Sequence, residues 1–499
     1  MGKLFREEIL REMSLIRKSM VSASAAISIS GGRFLLIAIL ARRLSSSELG
    51  QFVYAQWLVD MAFLICAFGI NGAASRYIAE YAHDPSRSAA FLRRWLPWAL
   101  ILPVLSGLMV VAGGILSGLI LTPLGYILLA AWAITTGWWS MQTAALQGLQ
   151  RFDLILSANL ASIAVVIPAA LFIPIGSSFL ELLFSAMAIS SFFACWFRVR
   201  QDTALLVGLT DAEAVDLPWS KIRTYTVNMW LTGLLWSLVW SRGELPLVRA
   251  HLGDEGVAQY AVALTLFFGA MQSVMLWVSG VAPHLTSEWG RGQKIQAIAI
   301  ARRFSDVQLL VSGCVALLLT CFGSEVLSIF FGAVYRTSAP SLAILILGLI
   351  TVSASAQNHL LQIDTDGKFN RNTSLAGLFV LYSMASITIP WLGIAGAAIA
   401  RALTMWGLFL MSLIIVRRSW GDTVLSGRNI LVVICAVSVP ALVVASGEIH
   451  YGIRALIALP CLAALVRLIR GEDGKLVAID VAATGWLHLR QCIAGYRQV

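Results

Sequence analysis

Apolar runs of about 20 residues, long enough for a helix to cross the hydrocarbon core of a bilayer, recur from one end of this 499-residue chain to the other. Lipid offers no hydrogen-bond partners, so a crossing segment must pair its own backbone N–H and C=O groups, as a helix does. Charge is correspondingly scarce: 12% of residues are Asp, Glu, Lys or Arg, where an ordinary soluble chain carries roughly 25%. The expected fold class is an all-α polytopic membrane protein with about fourteen transmembrane helices. The first seven spans fall near residues 19–41, 48–71, 95–119, 124–146, 155–174, 178–198 and 224–243. The second seven fall near 256–280, 305–331, 338–362, 373–392, 394–416, 429–446 and 449–469.

A partial internal repeat organises these spans. At a constant offset of 208, Leu44 falls on Leu252, Gln51 on Gln259, Ala55 on Ala263, Leu58 on Leu266 and Ala62 on Ala270. Gly72 then meets Gly280, Ala74 meets Ala282 and Glu80 meets Glu288. Six spans separate the copies, so both begin on the same side of the membrane. That predicts a parallel repeat of two pseudo-symmetric six-helix lobes with two helices added at the C-terminus, an architecture that encloses a central space. The expected layout is an amphipathic cytoplasmic head at 1–18, an N-lobe of spans 1–6 at 19–200 and a cytoplasmic linker at 201–223. A C-lobe of spans 7–12 follows at 224–416, then spans 13–14 at 429–469 and an interfacial tail at 470–499.

The net charge of +10 does not point to nucleic acid, because the basic residues lie in small groups between the apolar runs, where they set topology. With both termini in the cytoplasm, all of the 36 lysines and arginines fall in inner segments except Arg33, Arg42, Arg43, Arg242, Arg249, Arg336, Arg401 and Arg454. The 7 cysteines form no CxxC or ligand-spaced set, so free thiols are expected and no metal. No P-loop, HExxH or GxSxG occurs, and Asp364-Thr365-Asp366 sits in a short inner turn. Neither catalytic residues nor a cofactor are expected.

The candidates for function are polar groups inside the spans. Arg33 lies 15 residues beyond Lys18, about 22 Å of helix rise, where an arginine must face a wet cavity or a partner. It is either a binding residue, a structural ion pair with Asp60, or a snorkelling side chain. Asp60, midway along span 2, is a proton or cation relay or the counter-ion of Arg33; Phe268 takes its place in the second copy. Arg401 lies shallow enough in span 12 to snorkel outward. Arg242 and Glu244 close span 7 near the outer interface, as a gate or a solvated helix end. Gln142 and Gln147 on span 4 match His359 and Asp364 on span 10 at offset 217, which points to a polar cavity floor or to interhelical hydrogen bonds. The binding set expected is Arg33, Asp60, Gln142, Gln272, Asn358, His359 and Arg401.

Three stretches resemble the polysaccharide and oligosaccharide-lipid flippases of the multidrug/oligosaccharidyl-lipid/polysaccharide exporter superfamily. They are Leu40-Ala41-Arg42-Arg43-Leu44-Ser45 with Glu48-Leu49-Gly50-Gln51-Phe52, then Gly69-Ile70-Asn71-Gly72-Ala73 with Arg76 to Glu80, and Glu244 to Gly253 with Val257 to Ala261. Ala258 stands where that family usually has glycine. The resemblance implies alternating-access transport of a polyprenyl-diphosphate-linked glycan from the inner to the outer leaflet of the bacterial cytoplasmic membrane. It further implies a cationic cavity for the diphosphate, a coupling ion (H+ or Na+) with Asp60 as its candidate site, and polysaccharide-assembly machinery as partner. A guanidinium suits phosphate because it donates two parallel hydrogen bonds. The alternatives are an exporter of small amphiphilic compounds, a peptidoglycan-precursor flippase and, from another class, a membrane polysaccharide polymerase or ligase.

Overall fold

The computed structural model describes residues 2–421 apart from 82–83, 177, 200–216 and 366–367, together with short stretches between 429 and 461. All regular structure among the described residues is helical. The order begins α1 (Gly2–Arg43), α2 (Ser46–Cys66), α3 (Ile70–Glu80), α4 (Pro85–Leu116), α5 (Pro123–Gly148), α6 (Phe152–Phe172), α7 (Phe179–Val199) and α8 (Trp219–Trp240). It continues with α9 (Leu245–Gly290), α10 (Lys294–Phe331), α11 (Ala339–Leu347), α12 (Ser355–Asp364) and α13 (Lys368–Trp420). Two 3₁₀ segments, Ala333–Ser338 and Gly348–Ala354, flank α11.

Local sequence sets the helix ends. Ser45 and Glu48 form a reciprocal capping box at the start of α2, which satisfies two of the orphan donors of its first turn. Asp84 and Thr122 cap α4 and α5 just ahead of Pro85 and Pro123, and a proline at the first helical position lacks only a donor that has no partner there anyway. Gly393 and Gly253 mark tight reversals inside α13 and α9, with φ of 58° and 67°, a region that glycine enters without steric cost. The Thr388 hydroxyl donates to Gly396 O at 2.8 Å, eight residues on, which requires the chain to have folded back.

Nine helical segments among the described residues are long and apolar enough to cross a membrane, fewer than the fourteen expected. Three physical reasons account for part of the difference. The 53-residue α13 counts once, although as one straight helix it would rise about 80 Å and it turns at Gly393. Neither α5 nor α8 is among the nine, because α5 carries Trp, Thr, Ser and Gln and α8 carries Trp, Asn, Thr and Ser in mid-helix. The expected spans 13 and 14 at 429–469 lie almost wholly outside the described residues, as does the tail at 470–499. Residues 2–18 of the expected head form the N-terminal part of the 42-residue α1. One further expectation is corrected: span 10 is not one continuous α-helix, being interrupted by the 3₁₀ segment Gly348–Ala354.

The chain divides into two compact units, one of residues Lys18–Ala261 and the other of Met1–Arg17 with Val262–Val499. The first unit therefore includes α8, whose Trp230 indole N–H reaches the Leu64 and Ile65 carbonyls at 3.2 Å. Its core holds a stack of Phe52, Trp132 and Phe184, with Trp132 centroids 6.0 and 5.6 Å from its neighbours. In the second unit, amide and hydroxyl side chains bridge helices: Ser355 to Gln308 and Gln357 to Ser412, each at 2.7 Å.

Two of the arginines that the charge layout left outside have structural partners. Arg249 donates to Ser117 O at 2.9 Å and Gly118 O at 3.3 Å, at the end of α4, and pairs with Asp254 at 2.6 Å. Its guanidinium also lies 4.3 Å from the Tyr54 ring. Arg43 donates to Ala170 O and Ile173 O at 2.6 and 2.8 Å, at the end of α6. A helix C-terminus carries unpaired carbonyls and partial negative charge, so cations are favoured there. These arginines answer helix ends rather than topology.

Arg249→Ala removes the cap and leaves Asp254, 15% exposed, without its counter-ion. The expected loss is about 3 kcal/mol, read as a lower unfolding temperature of the purified protein in detergent. Gly50→Ala is expected to act on the same clasp, because a Cβ there would lie 1.8 Å from Asp254 O.

Candidate functional site

The first unit encloses a cavity of about 400 Å³ bordered by α1, α2, α3, α5, α6 and α7. Helical spacing aims each contribution inward. On α5, Trp132, Thr136, Trp139, Thr143 and Gln147 recur at steps of three and four residues and form one stripe along the cavity. On α6, Asn159, Ser162 and Val166 do the same. The turn between α2 and α3 places Asn71 and Ser75 on the wall; Phe68 and Gly69 there have φ of 45° and 74°. Close approach of α1 to α6 is possible because residue 32 is glycine: a Cβ would meet the Ile163 side chain at 2.8 Å.

Arg33 and Asp60 are the charged residues of this lining. The Arg33 Nη2 to Asp60 Oδ1 distance is 3.4 Å, with the side chains 56% and 38% exposed. At that length and exposure the contact contributes little to stability. Arg33 faces a polar cavity with the Asp60 carboxylate beside it. The two residues singled out in the first copy of the repeat are thus brought together.

The remaining candidates are placed elsewhere. Gln142 does not line this cavity, whereas Gln147 on the same helix does. Gln272, Asn358, His359 and Arg401 belong to the second unit. Gln272 is exposed, Asn358 Oδ1 is buried without a hydrogen-bond partner among the described residues, and His359 Nε2 lies 3.0 Å from the Thr286 hydroxyl. Arg401 does not snorkel outward. It is 2% exposed, with its guanidinium 5.7 Å from the Phe268 ring. Phe268 is the residue that stands where the first copy has Asp60. Nor is Glu244 a solvated helix end: it is fully buried and accepts a hydrogen bond from the Tyr260 hydroxyl, while Arg242 is half-buried.

Sequence reasoning missed the hydroxyl-bearing wall. Thr136, Ser162, Ser190 and Ser191 were available as a signal, since α5 is too rich in polar and indole side chains for a lipid-facing span, and its polar positions repeat with helical period. Among the described residues no group of three or more His, Cys, Asp and Glu is placed to hold a metal.

Comparison with known proteins follows this geometry. Residues 15–287 match the family model described as polysaccharide biosynthesis protein. No curated protein matches the chain at the level of sequence. Among solved structures, the lipid II flippase MurJ in an inward closed conformation is similar at TM-score 0.61 and 12% identity, over 92% of this chain and 98% of that one. An inward-facing multidrug resistance MATE family transporter of the MOP superfamily is similar at TM-score 0.55 and 15% identity, over 80% and 97%. A mutant of the Vibrio cholerae MATE transporter VcmN gives TM-score 0.54 and 14% identity, over 81% and 97%. At these identities the likeness concerns the fold. The matched family model covers more than half of the sequence and the fold is that of the MOP-superfamily transporters: this multi-pass membrane protein belongs to the polysaccharide biosynthesis protein family.

Proposed function

We propose that the chain is a flippase that moves a polyprenyl-diphosphate-linked oligosaccharide from the inner to the outer leaflet of the bacterial cytoplasmic membrane by alternating access, in cell-surface or exopolysaccharide synthesis. The observation that carries this reading is the Arg33–Asp60 pair facing a hydroxyl-lined cavity within a membrane-embedded unit. A diphosphate presents several acceptor oxygens and full negative charge, and a guanidinium binds such groups through paired charge-assisted hydrogen bonds. Asp60 holds Arg33 only by a long contact of 3.4 Å, so phosphate oxygens of stronger geometry displace it. The polyprenyl chain stays in the bilayer while the sugar occupies the polar cavity.

In this reading Asp60 keeps Arg33 neutralised until substrate arrives and, once displaced, takes a proton or Na+ as the coupling ion. Glu244 and Arg242 form the gate, with the buried Glu244–Tyr260 bond as its latch. Arg401, packed on Phe268, has a structural part, and the polysaccharide-assembly machinery is the partner that supplies and receives the lipid-linked glycan.

Arg33→Ala is expected to reduce appearance of the lipid-linked glycan in the outer leaflet by about 100-fold, the scale on which charge-assisted phosphate contacts act, while membrane abundance of the protein stays normal. Normal export by that variant would remove the diphosphate clamp from the mechanism. Asp60→Asn is expected to retain substrate binding and lose the dependence of flipping on the ion gradient, measured in proteoliposomes with and without an imposed gradient. Unchanged dependence would reduce Asp60 to a counter-ion.

A further inference from the structure

The two charges that line the cavity of the first unit cancel, and the rest of its polar lining is neutral. The neutral wall is made of hydroxyl and amide groups on three helices. Thr136 Oγ1 on α5 and Ser191 Oγ on α7 are 3.3 Å apart, and the Ser162 hydroxyl on α6 donates to Ser190 Oγ at 3.2 Å. Asn159 Nδ2 reaches Ala25 O only at 3.4 Å. A hydroxyl offers one donor and two acceptor lone pairs; Ser162 spends its donor on Ser190, and Ser190 spends its own on Met187 O at 2.9 Å, so both keep acceptor capacity for the hydroxyls of a ligand, as does the Asn159 carbonyl oxygen. Thr143 Oγ1 is buried with no hydrogen-bond partner among the described residues. Trp139, half-buried on the same stripe of α5, adds aromatic surface to the lining.

Such a wall matches a sugar ring, which pairs hydroxyls at its rim with apolar C–H faces, and a site of this kind fixes its ligand with few placed polar groups. It does not match a carboxylate. One guanidinium is already outweighed by the negative charge of a diphosphate, and a further anion brought into the cavity would be stripped of water with no second cation among the described lining residues to meet it. We infer that this cavity selects a glycan free of carboxylate and sulfate groups, held by hydrogen bonds with Thr136, Asn159, Ser162, Ser190 and Ser191, with Arg33, the one cation among the described lining residues, as anchor for the diphosphate. The inference rests on the flippase reading and names the substrate class of its site.

The test uses purified full-length protein in proteoliposomes with two fluorescent polyprenyl diphosphates of equal length, one carrying a neutral N-acetylhexosamine–hexose disaccharide and the other N-acetylhexosamine–hexuronate. Movement between leaflets is read by membrane-impermeant quenching. The neutral lipid is expected to move at least about 10-fold faster, one decade being the effect of a single modest unpaired interaction. Equal rates, or faster movement of the uronate, overturn the inference and leave the flippase reading standing. Failure of both lipids to move above protein-free vesicles overturns the flippase reading itself. Ser162→Lys places a cation in the neutral wall and is expected to narrow the gap by speeding the uronate lipid. If it slows the neutral lipid without any gain for the uronate, charge is not what discriminates, and the inference falls.

Discussion

A guanidinium in the interior of a membrane span is tolerated only where water, a carboxylate or both meet it, and the first unit is arranged around that requirement. Arg33 on α1 has Asp60 on α2 as partner and a cavity bordered by six helices as surroundings. The small residues of α1 next to it allow close packing on α6, and the reversal at Phe68-Gly69 turns α3 so that its amide and hydroxyl side chains join the wall.

The two copies of the repeat solve the same problem differently. In the first, aspartate at position 60 meets an arginine in a wet cavity; in the second, phenylalanine at position 268 meets an arginine that is buried. Arg33 lines a cavity beside a carboxylate, whereas Arg401 is 2% exposed with its guanidinium 5.7 Å from the Phe268 ring, so burial separates two arginines that the sequence reading had both named as candidates.

The other arginines follow the same accounting of unpaired groups. Arg43 and Arg249 close the carbonyl ends of α6 and α4. Their charge is spent on backbone acceptors that lipid cannot satisfy. These two arginines stand apart from the basic groups between the apolar runs because a helix end has first claim on them.

The sequence by itself determined that the chain is an all-helical, multi-pass membrane protein and that Arg33 requires a polar partner, because hydropathy, helix length and the cost of buried charge are local properties. Only the tertiary structure decided which polar groups share a cavity. Thr136, Ser162 and Ser190 lie on three helices and read individually as ordinary hydroxyls within apolar runs; that they line one cavity depends on the rotation of each helix about its axis, which packing sets. The same holds for Glu244, which sits beside a charged turn in the sequence and becomes a buried acceptor only because the reversal at Gly253 brings Tyr260 back onto it. The duplicated stretch announced two lobes, and packing left the exposed arginine–aspartate pair in the first.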